Sequence, residues 1–143
     1  MTRKLLALLA ALAATLGLTV MGGGNASALG GEWLGCQVGP GSNGTYSQLC
    51  RNNGPTLGGY EAEFKVQNET APSTYSWSVP ASYQSSIVYG CTSTSSSCAV
   101  SLSNSDQDLW VSVTLTQGGA SSTLTSRARI LQTCRSSEGW EYC

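Results

Sequence analysis

The 143-residue chain contains no histidine. Without an imidazole there is no Ser-His-Asp or Cys-His arrangement to activate a nucleophile, and the usual nitrogen ligand for zinc is missing too. Cys-x-x-Cys is absent as well, so neither thiol-disulfide exchange nor a thiolate zinc site has its spacing. Lysine is scarce, and after Lys4 only Lys65 remains. A Ser-Lys dyad would have to use it, and nothing in the sequence positions a serine beside it. Positive charge is short in general. Past residue 28, five basic residues (Arg51, Lys65, Arg127, Arg129, Arg135) stand against eight acids (Glu32, Glu61, Glu63, Glu69, Asp106, Asp108, Glu138, Glu141), a net charge of -3. Such a balance offers no surface to neutralise phosphates, so no nucleic-acid partner is expected. The same region lacks any 3.6-residue amphipathic stretch, which argues against helices as its building units.

What is present begins with a leader. Met1-Thr2-Arg3-Lys4 is positive, an uncharged run from Leu5 through Met21 follows, and Ala26-Ser27-Ala28 supplies the small-x-small triplet that a signal peptidase accepts. This predicts a signal peptide over residues 1–28 and a secreted, extracellular mature chain over residues 29–143. A retained anchor would need about 20 apolar residues, but alanine and glycine dilute this run and no basic stop-transfer cluster follows. A lipoprotein would have to use Leu34-Gly35-Cys36, with Glu32 and Trp33 just before it, and would leave an odd number of thiols. The mature chain is therefore expected free of the membrane, and monomeric.

Residues 29–143 are the size of one domain, and all six cysteines lie there: Cys36, Cys50, Cys91, Cys98, Cys134 and Cys143. An even count in an exported domain reads as three disulfides. Spacing favours the local pairs Cys36 with Cys50, Cys91 with Cys98, and Cys134 with Cys143. Loops of this size are worth about 2.5 to 3 kcal/mol each in the chain-entropy picture, which in sum rivals the typical net stability of ~5–15 kcal/mol.

Residues 29–59 are rich in glycine, asparagine and serine, with turn formers at Gly39-Pro40-Gly41-Ser42-Asn43-Gly44 and Asn52-Asn53-Gly54-Pro55. They predict a loop-rich cap fixed by its disulfide. From Tyr60 the period becomes two. Tyr60, Ala62, Phe64 and Val66 alternate with Glu61, Glu63 and Lys65, and similar alternation runs through Tyr75 to Val79, Ile87 to Tyr89, Val100 to Leu102, Leu109 to Leu115 and Leu124 to Ile130. Gln117-Gly118-Gly119-Ala120 between the last two is a hairpin signal. The expected fold is all-β: a single antiparallel sandwich of about seven strands over residues 60–131, closed by a disulfide-bonded tail over residues 132–143.

Tyr75-Ser76-Trp77-Ser78-Val79, then Asp106 through Thr116 and the Gly-Gly hairpin, resembles the C strand and F-G hairpin of immunoglobulin-like or PKD-type domains. With the alanine-rich leader, the chain resembles the small secreted Ig-like proteins of actinobacteria. That resemblance implies an Ig-like fold with Trp77 in its core and is nearly silent on function. No cysteine pair is spaced as the usual bridge between the sheets, Cys91 and Cys98 being too close. Gly90-Cys91-Thr92, Cys98, Val100, Leu102 and Ser103 also resemble the enediyne-carrying apoproteins, although too many strands follow Cys98 for that family.

Few residues invite chemistry. Glu61 and Glu63 project from one strand face about 7 Å apart, but neighbours on one face cannot flank a sugar from opposite sides, so solubility explains them better. Asn104-Ser105-Asp106-Gln107-Asp108 alternates oxygen ligands, yet Leu109 stands where a calcium loop needs glycine, and turn formation explains the Asx residues. No metal, cofactor or catalytic residue is expected. Trp140 and Tyr142 share a face of an extended tail and are the partner-binding residues expected, set against their commoner use as core. The Cys91 to Cys98 loop is clamped like the presenting loop of a protease inhibitor, though it lacks a large anchor side chain. The functional expectation is a secreted, non-catalytic binding or cell-envelope-associated Ig-like module. Its partner would be a protein or a cell-wall polysaccharide. A secreted inhibitor of an extracellular hydrolase is the alternative.

Overall fold

A computed structural model describes residues 29–143 except Ser42 and Leu57. The predicted signal peptide lies outside the described residues. Among these, no helix is long and apolar enough to cross a membrane. The described residues form ten strands: β1 (Trp33–Gly39), β2 (Leu49–Arg51), β3 (Tyr60–Gln67), β4 (Thr74–Ser78), β5 (Ile87–Gly90), β6 (Ser97–Leu102), β7 (Gln107–Gln117), β8 (Ala120–Ile130), β9 (Thr133–Ser136) and β10 (Gly139–Tyr142). One 3₁₀ turn, Ala81–Ser86, precedes β5.

Two four-stranded sheets, in the orders β1-β3-β6-β5 and β2-β8-β7-β4, pack face to face, and β9-β10 forms a separate hairpin. The alternating positions supply the core. Leu34, Val38, Ala62, Phe64, Val66, Val100 and Leu102 come from the first sheet, and Leu109, Val111, Val113, Leu115, Ala128 and Ile130 from the second. β3 and β7 show the alternation most plainly, burying one phase and turning the other toward solvent, which is what stabilises a sandwich. The β7-β8 hairpin turns on Gly118 and Gly119, both at positive φ, as a two-residue turn requires.

The structure corrects the reading of residues 29–59 as a cap. Leu34, Cys36 and Val38 of β1 are buried core positions pairing with β3, and β2 joins the second sheet beside β8. That β2-β8 pairing is parallel, within an otherwise antiparallel sandwich. Glycine disguised β1, because Gly35 and Gly39 hold part of the outward phase where polar side chains are expected.

All three local disulfides are present: Cys36–Cys50, Cys91–Cys98 and Cys134–Cys143. The first ties β1 to β2, and hence one sheet to the other. The bridge between sheets that spacing did not reveal is therefore there, carried by the first two strands.

Polar side chains, buried Asn52 among them, hold the hairpin end together. Asn52 donates through Nδ2 to the Leu131 carbonyl and accepts through Oδ1 from the Leu131 amide, each at 2.9 Å. This pair continues the β2-β8 ladder by one side chain. Asn104 Oδ1 accepts from the Thr133 amide at 2.8 Å, and Asp106 Oδ1 from the Gln132 amide at 2.8 Å. One oxygen each of Asn104 and Asp106 is thus spent on anchoring the entry to β9.

Candidate binding face

The outward phase of the sheet β2-β8-β7-β4 is the candidate site. Because β7 buries Leu109, Val111, Val113 and Leu115, it must turn Asp108, Trp110, Ser112, Thr114 and Thr116 outward. The register sets these in rows across the sheet. Thr74, Thr116 and Ser121 form one row, Ser76, Thr114 and Thr123 the next, and Ser78, Ser112 and Thr125 the third. Then come Trp110, Arg127 and Leu49, and finally Asp108, Arg129 and Arg51. Rows are about 7 Å apart along the strands and about 4.8 Å between strands. Some hydroxyls pair with each other, Thr114 with Thr123 at 3.0 Å and Thr116 with Ser121 at 2.8 Å.

Trp110 interrupts this polar face with an indole that is 54% exposed. Its ring is held in place. The Arg127 guanidinium lies 5.1 Å from the ring centroid, a cation–π distance. Arg127 is fixed in turn by a fork to Asp108, Nε to Oδ1 at 2.9 Å and Nη2 to Oδ2 at 2.7 Å. This hydrogen-bonded fork holds the Asp108 carboxyl below its ordinary value. On one side of Trp110 is a shallow depression of about 170 Å³ bounded by Ser78, Pro80, Ser112 and Thr125. At the far end of the face Leu49, Arg51, Arg129 and Leu131 line an open groove of about 300 Å³.

The opposite outer face is chemically busier and more self-contained. Gly35 leaves room for two rings, since a Cβ there would lie 2.7 Å from Tyr46 Cβ and 2.9 Å from Trp33 Cζ3. Glu63 accepts from Gln37 Nε2 at 2.6 Å and from the Tyr46 hydroxyl at 2.8 Å. Glu63 is therefore more than a solubilising charge. Burial, with Glu63 as acceptor, pushes the Tyr46 hydroxyl well above 10, and burial with the Glu63 charge pushes Tyr89 up to about 12. Proton donors locked onto a carboxylate in this way have little left to offer a ligand.

Trp140 and Tyr142 do share a face of β10, 40% and 51% exposed, and line a groove with Asn53, Gly54 and Pro55. The Tyr142 hydroxyl is committed internally, donating to the Asn52 carbonyl at 3.1 Å. That bond pins the hairpin to the sandwich. The loop between Cys91 and Cys98 is docked along its length. The Ser93 carbonyl accepts from the Tyr75 amide at 3.0 Å, Ser96 from the Val66 amide at 2.9 Å, and Ser95 from Trp77 Nε1 at 2.9 Å. Trp77 is half-buried, and its indole serves to hold this loop. No cluster of three or more His, Cys, Asp or Glu side chains placed to hold a metal occurs among the described residues.

Trp110 and Arg127 were missed as a pair. The signal lay in the alternation, which puts Trp110 in the polar phase of a strand that is apolar-in and polar-out from Asp108 to Thr116. Comparison with known proteins adds no name: no protein family, curated protein or solved structure matches the chain.

Proposed function

We propose that the chain is a secreted, non-catalytic, envelope-associated module that binds a polysaccharide along the outer face of β2-β8-β7-β4. The observation that carries this is Trp110, an open indole held by Arg127 and Asp108 at the edge of three rows of serine and threonine hydroxyls. The apolar C–H face of a sugar ring stacks on such an indole, and the flanking hydroxyls exchange hydrogen bonds with sugar hydroxyls. An isolated exposed aromatic residue needs no explanation. A clamped one flanked by hydroxyl rows has the composition of a site, because ordering the ring beforehand removes entropy that binding would otherwise cost.

The strand order supports the Ig-like part of the reading: β1-β3-β6-β5 facing β4-β7-β8 follows the A-B-E-D and C-F-G order of that class. Three disulfides with no free cysteine among the described residues suit an oxidising compartment. The inhibitor alternative gains nothing from the Cys91 to Cys98 loop, because a presenting loop needs backbone groups free to meet a protease, and here three carbonyls are already bonded to the domain.

The test is co-sedimentation of the oxidised protein with cellulose, chitin and peptidoglycan, and affinity electrophoresis in polygalacturonate, alongside Trp110→Ala and Trp140→Ala. Trp110→Ala is expected to weaken binding at least tenfold, with Trp140→Ala near the parent. Loss confined to Trp140→Ala, or no binding to any of the four, overturns the reading.

A further inference from the structure

Resting on that face as the binding site, we infer that the polysaccharide is acidic, with ring-borne carboxylates, and that Arg51 and Arg129 are the residues that select it. The two arginines stand directly opposite each other on β2 and β8 and both are exposed. Like charges side by side on neighbouring strands repel each other, and an anion bound between them would offset that repulsion. No ion pair relieves either one: the only salt bridge among the described residues is Arg127 with Asp108. Arg129 acts on the Asp108 carboxyl through its charge without closing to ion-pair distance, and Asp106 nearby already accepts from the Gln132 amide.

The distribution of charge points the same way. Acids outnumber bases past residue 28, yet three of the five positive charges converge on this face, with Asp108 the one carboxylate in its rows. The open groove beside Leu49 and Leu131 gives the two guanidinium groups a shared approach. A guanidinium fork matches the two coplanar oxygens of a carboxylate, a pairing this face already displays between Arg127 and Asp108. Trp110 lies one row from Arg129, about 7 Å along the strands. A ligand that serves both must carry a ring with an apolar face and an anion close to it. A hexuronic acid polymer meets both needs, whereas a linear polyol phosphate has no ring to stack.

The deciding experiment compares polygalacturonate, its fully methyl-esterified form and a polyol phosphate polymer, using the oxidised protein, Arg51→Gln/Arg129→Gln and Trp110→Ala. Near-ultraviolet circular dichroism checks that each variant retains the parent fold. Polygalacturonate is expected to bind at least tenfold more tightly than the ester and to weaken as salt rises. Arg51→Gln/Arg129→Gln should remove that preference, so that acid and ester bind alike. Equal binding of acid and ester by the parent, or an unchanged preference in the double variant, overturns the inference while the Trp110 reading stands. Tight binding of the polyol phosphate overturns the carboxylate assignment. Unchanged binding by Trp110→Ala overturns the proposed site itself.

Discussion

Removing each disulfide in turn should cost very different amounts, although the chain-entropy account treats them as near equals. With sequence separations of 14, 7 and 9 for Cys36–Cys50, Cys91–Cys98 and Cys134–Cys143, loop closure gives about 3, about 2.4 and about 2.6 kcal/mol. Burial then separates them. Cys36 is fully buried and Cys50 nearly so, on strands belonging to opposite sheets. Alanine at both positions leaves two voids of roughly a methyl group's size in the core, about 1 kcal/mol each, for a total near 5 kcal/mol. Cys98 is buried and Cys91 half-buried, which raises the second bridge to about 3.4 kcal/mol. Cys143 is exposed and Cys134 half-buried in a hairpin that pairs only within itself, so the third stays at or below its entropic figure. Equilibrium urea unfolding of the three double-alanine variants, with the other bridges kept oxidised, measures the order. A gap of about 2.4 kcal/mol between the first and third corresponds to roughly 10 °C in melting temperature for a domain of this size. Equal midpoints for Cys36→Ala/Cys50→Ala and Cys134→Ala/Cys143→Ala would refute the assignment of the first bridge as the tie between sheets.

Two further outcomes follow from single side chains. Asn52→Ala should cost about 2–3 kcal/mol, because the amide and carbonyl of Leu131 both lose their partner. Amide exchange at Leu131 should accelerate, and an unchanged rate there would contradict the pairing. Asp108 has its carboxyl held below the ordinary 3.8 by the Arg127 fork, so its contribution is fully present above that value and fades as pH falls through the lowered one. Trp110 emission should therefore change as pH falls below 3.8 and Arg127 is released from its fork, and the change should vanish in Asp108→Asn.

Six of the eight sandwich strands, β3 through β8, were legible in the sequence, most plainly β3 and β7, where apolar and polar residues alternate between core and solvent. β1 was not, for a physical reason found at Gly35. Its outward position is filled by the Trp33 and Tyr46 rings lying over the glycine, so the polar residue expected there is replaced by packing from elsewhere in the chain. β2 has three residues and pairs in parallel across a long sequence interval, which no local pattern reports. The disulfide partners were legible from spacing, but their spatial role was not: Cys36 and Cys50 are near in sequence while their strands lie in different sheets. At the candidate site the individual residues could be assigned to faces, Arg127 and Arg129 among them. Their neighbours on β2 and β7 depend on register, which the sequence leaves unstated.

The two outer faces show why the β2-β8-β7-β4 surface is the better candidate. A sandwich draws its stability from the inward phase, so the outward phase is free to vary within the limits of solubility. On the β1-β3-β6-β5 face the aromatic residues have structural work: Trp33 and Tyr46 cover Gly35, and the Tyr46 hydroxyl satisfies Glu63. On the other face Trp110 covers no glycine and fills no cavity, and half its ring surface meets water. Arg127 and Asp108 hold that ring while leaving it exposed. Beside it, Arg51 and Arg129 oppose like charges across neighbouring strands. Two local departures from what the fold alone favours, one row apart and on the same side of the sheet, share one explanation in a ligand that brings both a ring and an anion.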